Sequence, residues 1–244
     1  MHIMYMLQIL LLVFTVAMFL MCFFREKLNN PVIDPLFLIA CAVFFFCWTY
    51  ATYERNGLKD GFMTLDNISP YICTVIPLTP LLNKKVKDYA YCAIGFLSLG
   101  MFVAMFVSPG ADYFSHFQQN AGFHHVSEGA CHLVMALYGY YLILSGKVKT
   151  DFKSLAKGAA FIYASVFFGV FLNLCFHRGN FGMDMYGNYS IYFIDIFGSF
   201  EATFVAYLLG IAATILLGFL SAILVNWIST AKKKETSTPT ADLQ

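Results

Sequence analysis

The chain has 244 residues, of which 59% are hydrophobic, 18% are aromatic and only 12% are charged. Soluble domains carry roughly 45–50% apolar and about 25% charged residues, so this composition excludes a soluble fold, a disordered chain and a nucleic-acid-binding protein. The formal net charge is only +1, which makes the positions of the charges more informative than their sum. We therefore predict an integral membrane protein.

Apolar segments of about 20 residues, the length that a membrane-crossing helix needs, follow one another along nearly the whole chain. Five of them are bounded by charged or turn-forming residues, at residues 4–24, 36–53, 89–107, 161–176 and 202–228. Two more, at residues 65–82 and 123–144, carry polar side chains. We predict an all-α, polytopic membrane protein with a single seven-helix transmembrane domain over residues 1–230 and a polar cytoplasmic tail over residues 231–244.

The basic residues lie mostly at one end of the predicted spans. Twelve lysines and arginines follow spans one, three, five and seven, whereas the opposite end has only Arg55, Lys59 and Arg178. By the positive-inside rule, this asymmetry predicts the N-terminus outside and the C-terminus inside. The first span lacks a basic leader and is too long for a signal peptide, so we expect it to be retained. We expect a multi-pass protein of a bacterial plasma membrane.

Span five carries the densest group of ionisable side chains. His124, His125, Glu128, Cys131 and His132 fall within an arc of about 120° on one helix face. Such a group forms an acid/base pair in which the carboxylate fixes the imidazole tautomer, or it supplies up to three ligands to a metal ion. Because one helix does not complete a four-ligand site, we predict neither a metal nor a cofactor.

Span three is interrupted by proline and carries a cysteine on its polar face. Pro77 and Pro80 are expected to kink or end the inner half of this helix. Cys73 lies two turns beyond Asp66 and so on the same face. This spacing leaves two interpretations of Cys73, a nucleophile that faces His132 or a small packed hydrophobic residue.

Most of the polar residues in the spans lie in the outer half of the predicted bilayer. Charged side chains at such depths are costly unless they are paired or hydrated, which makes them candidates for a functional site. We predict that Asp66 contacts His125 below the outer surface and that Glu128 connects this pair to His132. The alternative is a hydrogen-bonded scaffold that only holds the helices together.

Short motifs along the chain also follow a recognisable order between residues 30 and 225. They are Leu65-Asp66-Asn67-Ile68-Ser69, the histidines of span five, Asn173, Asn188-Tyr189 and Ile194-Asp195-Ile196-Phe197-Gly198. This order resembles the YwaF-type integral membrane family, which includes the eukaryotic transmembrane protein 164. The resemblance implies a seven-helix, acyltransferase-like fold that remodels phospholipids through a cysteine and a histidine.

This sequence differs from the family's usual pattern at two places. Asp66 stands where the family usually has its cysteine, and Ser199-Phe200-Glu201 replaces a stretch rich in proline and tryptophan. The family histidine matches His132 when counted back from Ser145-Gly146, and it matches His125 when counted from the start of the helix. Both histidines therefore stay candidates.

The first functional hypothesis is a lipid-active transferase or hydrolase. Asp66, or a water that it activates, attacks the substrate. His132 or His125 acts as the general base, in concert with Glu128. Asn67 or Asn173 polarises an ester carbonyl.

Two hypotheses of other classes stay open. One is a transporter, channel or receptor whose outward-facing cavity is lined by the same ionisable residues. The other is a structural or accessory membrane protein. Under each hypothesis we expect membrane lipids as partners and no binding to nucleic acid. Assembly into a homo-oligomer is left as an open alternative.

Overall fold

The computed structural model describes residues 2–56, 68–107, 123–176 and 195–236. These four stretches contain seven α-helices and no β-strand. In chain order, the helices are α1 (His2–Phe23), α2 (Ile33–Asn56), α3 (Ile68–Leu78), α4 (Lys84–Val107), α5 (Phe123–Leu144), α6 (Phe152–Phe176) and α7 (Phe200–Thr236). Each predicted apolar segment coincides with one of these helices, and the prediction of an all-α protein is confirmed.

Three helices within the described ranges are long and apolar enough to cross a membrane. They are the stretches Ile33–Glu54, Lys84–Val103 and Phe200–Ser229. The apolar stretches Leu12–Phe23 and Tyr71–Leu81 are shorter. At 1.5 Å per residue, α7 is about 55 Å long, so it exceeds the roughly 30 Å hydrocarbon core and continues into the predicted tail.

Helix α3 ends where the prolines predict. Pro77 lies inside its last turn, and the chain continues as the 3₁₀ turn Thr79–Leu81, with Pro80 near the start of that turn. A proline ring lacks the amide hydrogen that an α-helix needs and clashes with the preceding turn, so the regular helix stops there. Helix α3, with 11 residues, is therefore shorter than the roughly 20 residues of a full membrane span.

Helix α4 lies at the centre of the bundle. Residues 91–100 are all buried, and α4 packs against α5, α6 and α7. Each of these three neighbours presents a glycine to the backbone of α4. The pairs are Gly139 with Ile94, Gly158 with Cys92, and Gly218 with Phe96. Because glycine has no side chain, the helix backbones approach closely, as in many membrane helix pairs.

Helix α5 is the second central element, packing against α1 and α2 as well as α4. Near the end of α5, the ring of Phe37 from α2 lies 5.7 Å from that of Tyr138 and 5.2 Å from that of Tyr141. Such offset aromatic pairs add to the burial of apolar surface. These ring contacts join α2 to α5 along one side of the bundle.

Arg25 connects three helices from the 3₁₀ turn that follows α1. Its Nε donates to the carbonyl oxygen of Leu144, at the end of α5, over 3.0 Å. Its terminal nitrogens donate to the hydroxyl of Ser229 and the amide oxygen of Asn226, both on α7. One guanidinium thus connects the ends of α1 and α5 to the later part of α7.

We expect Arg25→Lys to destabilise the protein even though the charge is retained. Lysine cannot reproduce the planar fork of donors, and hydrogen bonds to charged groups contribute about 1.5–3 kcal/mol each to stability. Unfolding of the purified protein in mixed micelles measures the loss. Lys27→Ala is the control, because Lys27 lies in the same turn and is exposed. Equal effects of the two variants would contradict the role of Arg25.

Helix α6 begins directly after Asp151, nine residues before the predicted start of span six. A carboxylate oxygen of Asp151 accepts a hydrogen bond from the backbone N–H of Ser154 over 2.8 Å, which is the geometry of an N-cap. This bond lowers the pKa of Asp151 below its ordinary value of 3.8. The polar first turns of α6 therefore belong to the helix, although they are not part of the apolar segment from which span six was predicted.

We expect Asp151→Ala to lower the melting temperature at neutral pH. Because the pKa is depressed in the folded state, the contribution of the carboxylate is present above the ordinary pKa and is lost as the pH falls through the lowered value. Melting curves of the wild type and the variant between pH 7 and about pH 2.5 should converge at the acid end. A difference that persists there would contradict the capping role.

Candidate functional site

The structure describes the side chains of two of the six predicted site residues. Asp66 and Asn67 lie outside the described residues. His125 and Asn173 fall within α5 and α6, and their side chains are also outside the described set. Glu128 and His132 are described, and the site is built from them. The predicted contact between Asp66 and His125 stays a prediction.

His132 is held in one orientation by its own helix. Only 4% of its surface is exposed, and its Nδ1 donates to the backbone carbonyl oxygen of Glu128, one turn earlier in α5, over 2.9 Å. A carbonyl oxygen only accepts, so this bond requires the proton on Nδ1. In the neutral imidazole the lone pair then lies on Nε2. The sequence predicted that the carboxylate of Glu128 fixes the tautomer, whereas the described bond that fixes it is to the backbone carbonyl of the same residue.

Helix α2 closes the site opposite His132 with a tryptophan. The ring centroid of Trp48 lies 5.2 Å from that of His132, at an interplanar angle of 55°. Trp48 is only 3% exposed, and the ring of Phe45 packs edge-on against it. The sequence analysis did not select Trp48, because one aromatic residue in an apolar span carries no periodic signal.

Helices α2, α3 and α5 each carry one buried cysteine, and these are Cys41, Cys73 and Cys131. The Sγ of Cys131 lies 3.3 Å from that of Cys73, whose own thiol points to Met135 Sδ at 3.7 Å. The described contacts of Cys73 are therefore sulfur atoms. These contacts match the interpretation of Cys73 as a small packed residue better than that of a nucleophile facing His132.

The described sulfur and histidine groups do not assemble a metal site. Across the described ranges, no three His, Cys, Asp or Glu side chains are grouped as metal coordination requires. All seven cysteines are free thiols. The described groups around His132 therefore offer an imidazole and an indole N–H in an apolar interior.

A second polar cluster lies at the other end of α2, around Asp34. Its carboxylate forms an ion pair with Lys147 at 2.8 Å and accepts a hydrogen bond from the hydroxyl of Tyr138 at 3.1 Å. Lys147 also lies over the ring of Tyr141, 5.0 Å from its centroid. The sequence analysis missed this cluster, whose only local signal is an acid in the first turn of a helix.

The contacts of Lys147 indicate that the Asp34 cluster is structural. Partial burial acts to lower the pKa of Lys147, but the hydrogen bonds with Asp34 and Tyr141 outweigh it, and the pKa is raised above 10.5. A cation held in its charged form suits an ion pair and not a proton carrier. Fourteen residues of α2, about 21 Å, separate Asp34 from Trp48, so the two clusters are distinct.

Comparisons of this chain with protein-family models, with curated proteins and with solved structures find no significant match.

Proposed function

We propose that seven segments of the chain cross a membrane, the third of them made of α3 together with the 3₁₀ turn that follows it. The N-terminus is then outside and the C-terminus inside. Large apolar side chains are exposed along several helices, including Phe19, Phe46 and Leu209, each more than 60% exposed. Apolar surface of this extent is typical of a lipid-facing exterior. The distribution of lysines and arginines supports the orientation.

The orientation predicts a cytoplasmic tail. A fluorescent protein fused after residue 244 should be bright in a bacterial host, and alkaline phosphatase fused at the same place should be inactive, because each reporter folds productively on only one side of the membrane. The reverse pattern would show that the orientation is wrong. Fusions after Asn56, at the predicted outer end of α2, serve as the internal control. They should give an active phosphatase and a dark fluorescent protein.

We propose that the protein is a lipid-active membrane enzyme that catalyses acyl transfer or ester hydrolysis. The observation that carries this proposal is His132, a buried imidazole whose tautomer is fixed by its own helix. An imidazole gains and loses a proton near neutral pH, so a histidine with an oriented ring suits a general base. His132 lies on α5, which packs against α1, α2 and α4, and this packing provides the rigid support that catalysis requires.

In the proposed reaction, Nε2 of His132 accepts a proton from water or from the hydroxyl of an acceptor lipid. The oxygen attacks the carbonyl carbon of an acyl ester, and the ester C–O bond then breaks. The imidazolium returns the proton to the departing alkoxide. Asp66 and His125 are proposed to position the nucleophile, and Asn67 or Asn173 to contact the ester.

Lipid analysis of producing cells tests this proposal. Mass spectrometry should show a different acyl-chain distribution in cells that produce the wild type than in cells that produce His132→Ala. Cys92→Ala is a matched control, because Cys92 is equally buried but lies on α4 against α6. Identical lipid profiles for the wild type and His132→Ala, at equal protein levels, would contradict an enzymatic role.

A further inference from the structure

The indole N–H of Trp48 is a buried hydrogen-bond donor with no acceptor. Trp48 is 3% exposed, and its Nε1 has no hydrogen-bond partner among the described residues. Buried polar groups in native proteins are nearly always paired, since an unpaired donor costs free energy that no nearby contact restores. An indole N–H donates and never accepts, so the missing partner is an acceptor.

The surroundings of Trp48 narrow the chemistry of that partner. The backbone carbonyl of Trp48 already accepts the hydroxyl of Thr52 at 2.9 Å, so its main chain does not need a ligand. The rings of Phe45 and His132 flank the indole. A ligand that fits here is largely apolar, carries an uncharged acceptor oxygen and places that oxygen beside an imidazole. The ester carbonyl of an acyl lipid has these properties.

Among the described residues, two other buried polar groups lack a partner, and they do not share this setting. Ser98 lies on α4 and Tyr207 on α7, and both are hydroxyls that rotate and can donate or accept. Only the donor of Trp48 is fixed by a rigid ring next to a histidine. Its depth is also suitable, since Trp48 lies about 12 Å from the Asn56 end of α2, which is the predicted outer end.

We propose that the N–H of Trp48 binds the ester carbonyl oxygen of an acyl lipid beside His132. This inference rests on the proposed function, and it assigns Trp48 a role that the sequence analysis gave to Asn67 or Asn173. Negative charge develops on the carbonyl oxygen as the nucleophile adds to the carbonyl carbon, and the indole donor stabilises that charge. The electron pair on that oxygen re-forms the C=O bond as the C–O bond to the leaving alkoxide breaks, and the alkoxide takes the proton from His132.

The chain offers a direct spectroscopic test, because it has only two tryptophans. The second tryptophan, Trp227, lies on α7 and is 68% exposed. The substitution Trp227→Phe therefore leaves Trp48 as the only indole that emits. An ester-linked lysophospholipid should shift or quench the emission of Trp48. The ether-linked analogue of the same chain length, which lacks the carbonyl, should bind at least about tenfold more weakly. Equal responses to the two lipids would overturn the inference.

Trp48→Phe separates the donor from the packing. Phenylalanine keeps an aromatic ring against His132 but has no N–H. The variant should melt at or above the wild-type temperature, because an unpaired donor has been removed, and it should lose the preference for ester over ether in isothermal titration. Retention of that preference would overturn the inference even if the melting temperature is unchanged.

Turnover measurements distinguish a failure of this inference from a failure of the proposed function. If the wild type turns over lipid esters, Trp48→Phe should lower kcat by about 10²–10³-fold, as loss of one such donor does elsewhere. Full activity with an unchanged ester preference would overturn the role of Trp48 alone. Selective ester binding that needs Trp48 but gives no turnover would support the binding site and contradict the enzyme.

Discussion

Gly218→Ala should unfold or severely destabilise the protein, whereas Gly210→Ala should not. Both glycines lie in α7, two turns apart. A methyl group at Gly218 would overlap with the carbonyl oxygen of Phe96 in α4, and the reciprocal contact places Gly100 against the backbone of Thr214. A methyl group at Gly210 would meet no atom within 4 Å. The same substitution therefore adds a methyl group against a neighbouring backbone at Gly218 and into open space at Gly210.

The expected sizes follow from the two environments. At Gly218 a rigid backbone lies in the way, so α4 and α7 must separate, and the free energy of unfolding should fall by about 3 kcal/mol or more. At Gly210 the change should be neutral or stabilising by up to about 1 kcal/mol, because alanine favours the helix. Unfolding of both purified variants in mixed micelles gives the comparison. Equal stabilities would contradict the close approach of α4 and α7.

The positions of the helices could be predicted from the sequence because each depends on a local run of apolar residues. The end of α3 was also predictable, since Pro77 and Pro80 act on their own helix. The start of α6 was missed because hydropathy does not register Lys153, Ser154 and Lys157. The N-cap signal of Asp151 was present in the sequence and would have found it.

The candidate site was only partly predictable, for a physical reason. Glu128 and His132 share a helix, so their proximity follows from helical periodicity. Trp48 reaches His132 only through the packing of α2 on α5, and two partners of Asp34 come from α5 and the connection after α5. No local pattern encodes contacts between helices. The same holds for the glycine that each neighbour presents to α4.

Substitutions at His132 and at Asp34 should have opposite effects on activity and stability. His132→Asn places an amide donor near the position of Nδ1 and so retains a bond to the carbonyl oxygen of Glu128. It removes the base, so activity should fall by about 10²–10⁴-fold with a small change in melting temperature. Glu128→Gln leaves the backbone bond to His132 intact and removes only the carboxylate. If that carboxylate connects His125 to His132, as the sequence predicts, this variant should also lose activity more than stability.

Asp34→Asn provides the contrasting variant. It leaves Lys147 without its ion pair and weakens the bond from Tyr138, so we expect a loss of about 1 kcal/mol, limited by the partial exposure of Lys147. Activity per folded molecule should not change, because Asp34 is about 21 Å along α2 from Trp48. If His132→Asn instead loses stability and keeps activity, the polar cluster is a scaffold.

The transfer of a labelled acyl chain by the purified protein tests the central claim most directly. Vesicles would contain a phospholipid with deuterated acyl chains and an unlabelled lysophospholipid, and mass spectrometry would follow the label. The account predicts that the wild type moves the deuterated chain to the lysophospholipid or releases it as a fatty acid. It predicts a rate at least about 100-fold lower for His132→Asn. No labelled product from the wild type, or equal rates for the two proteins, would contradict a lipid-active enzyme centred on His132.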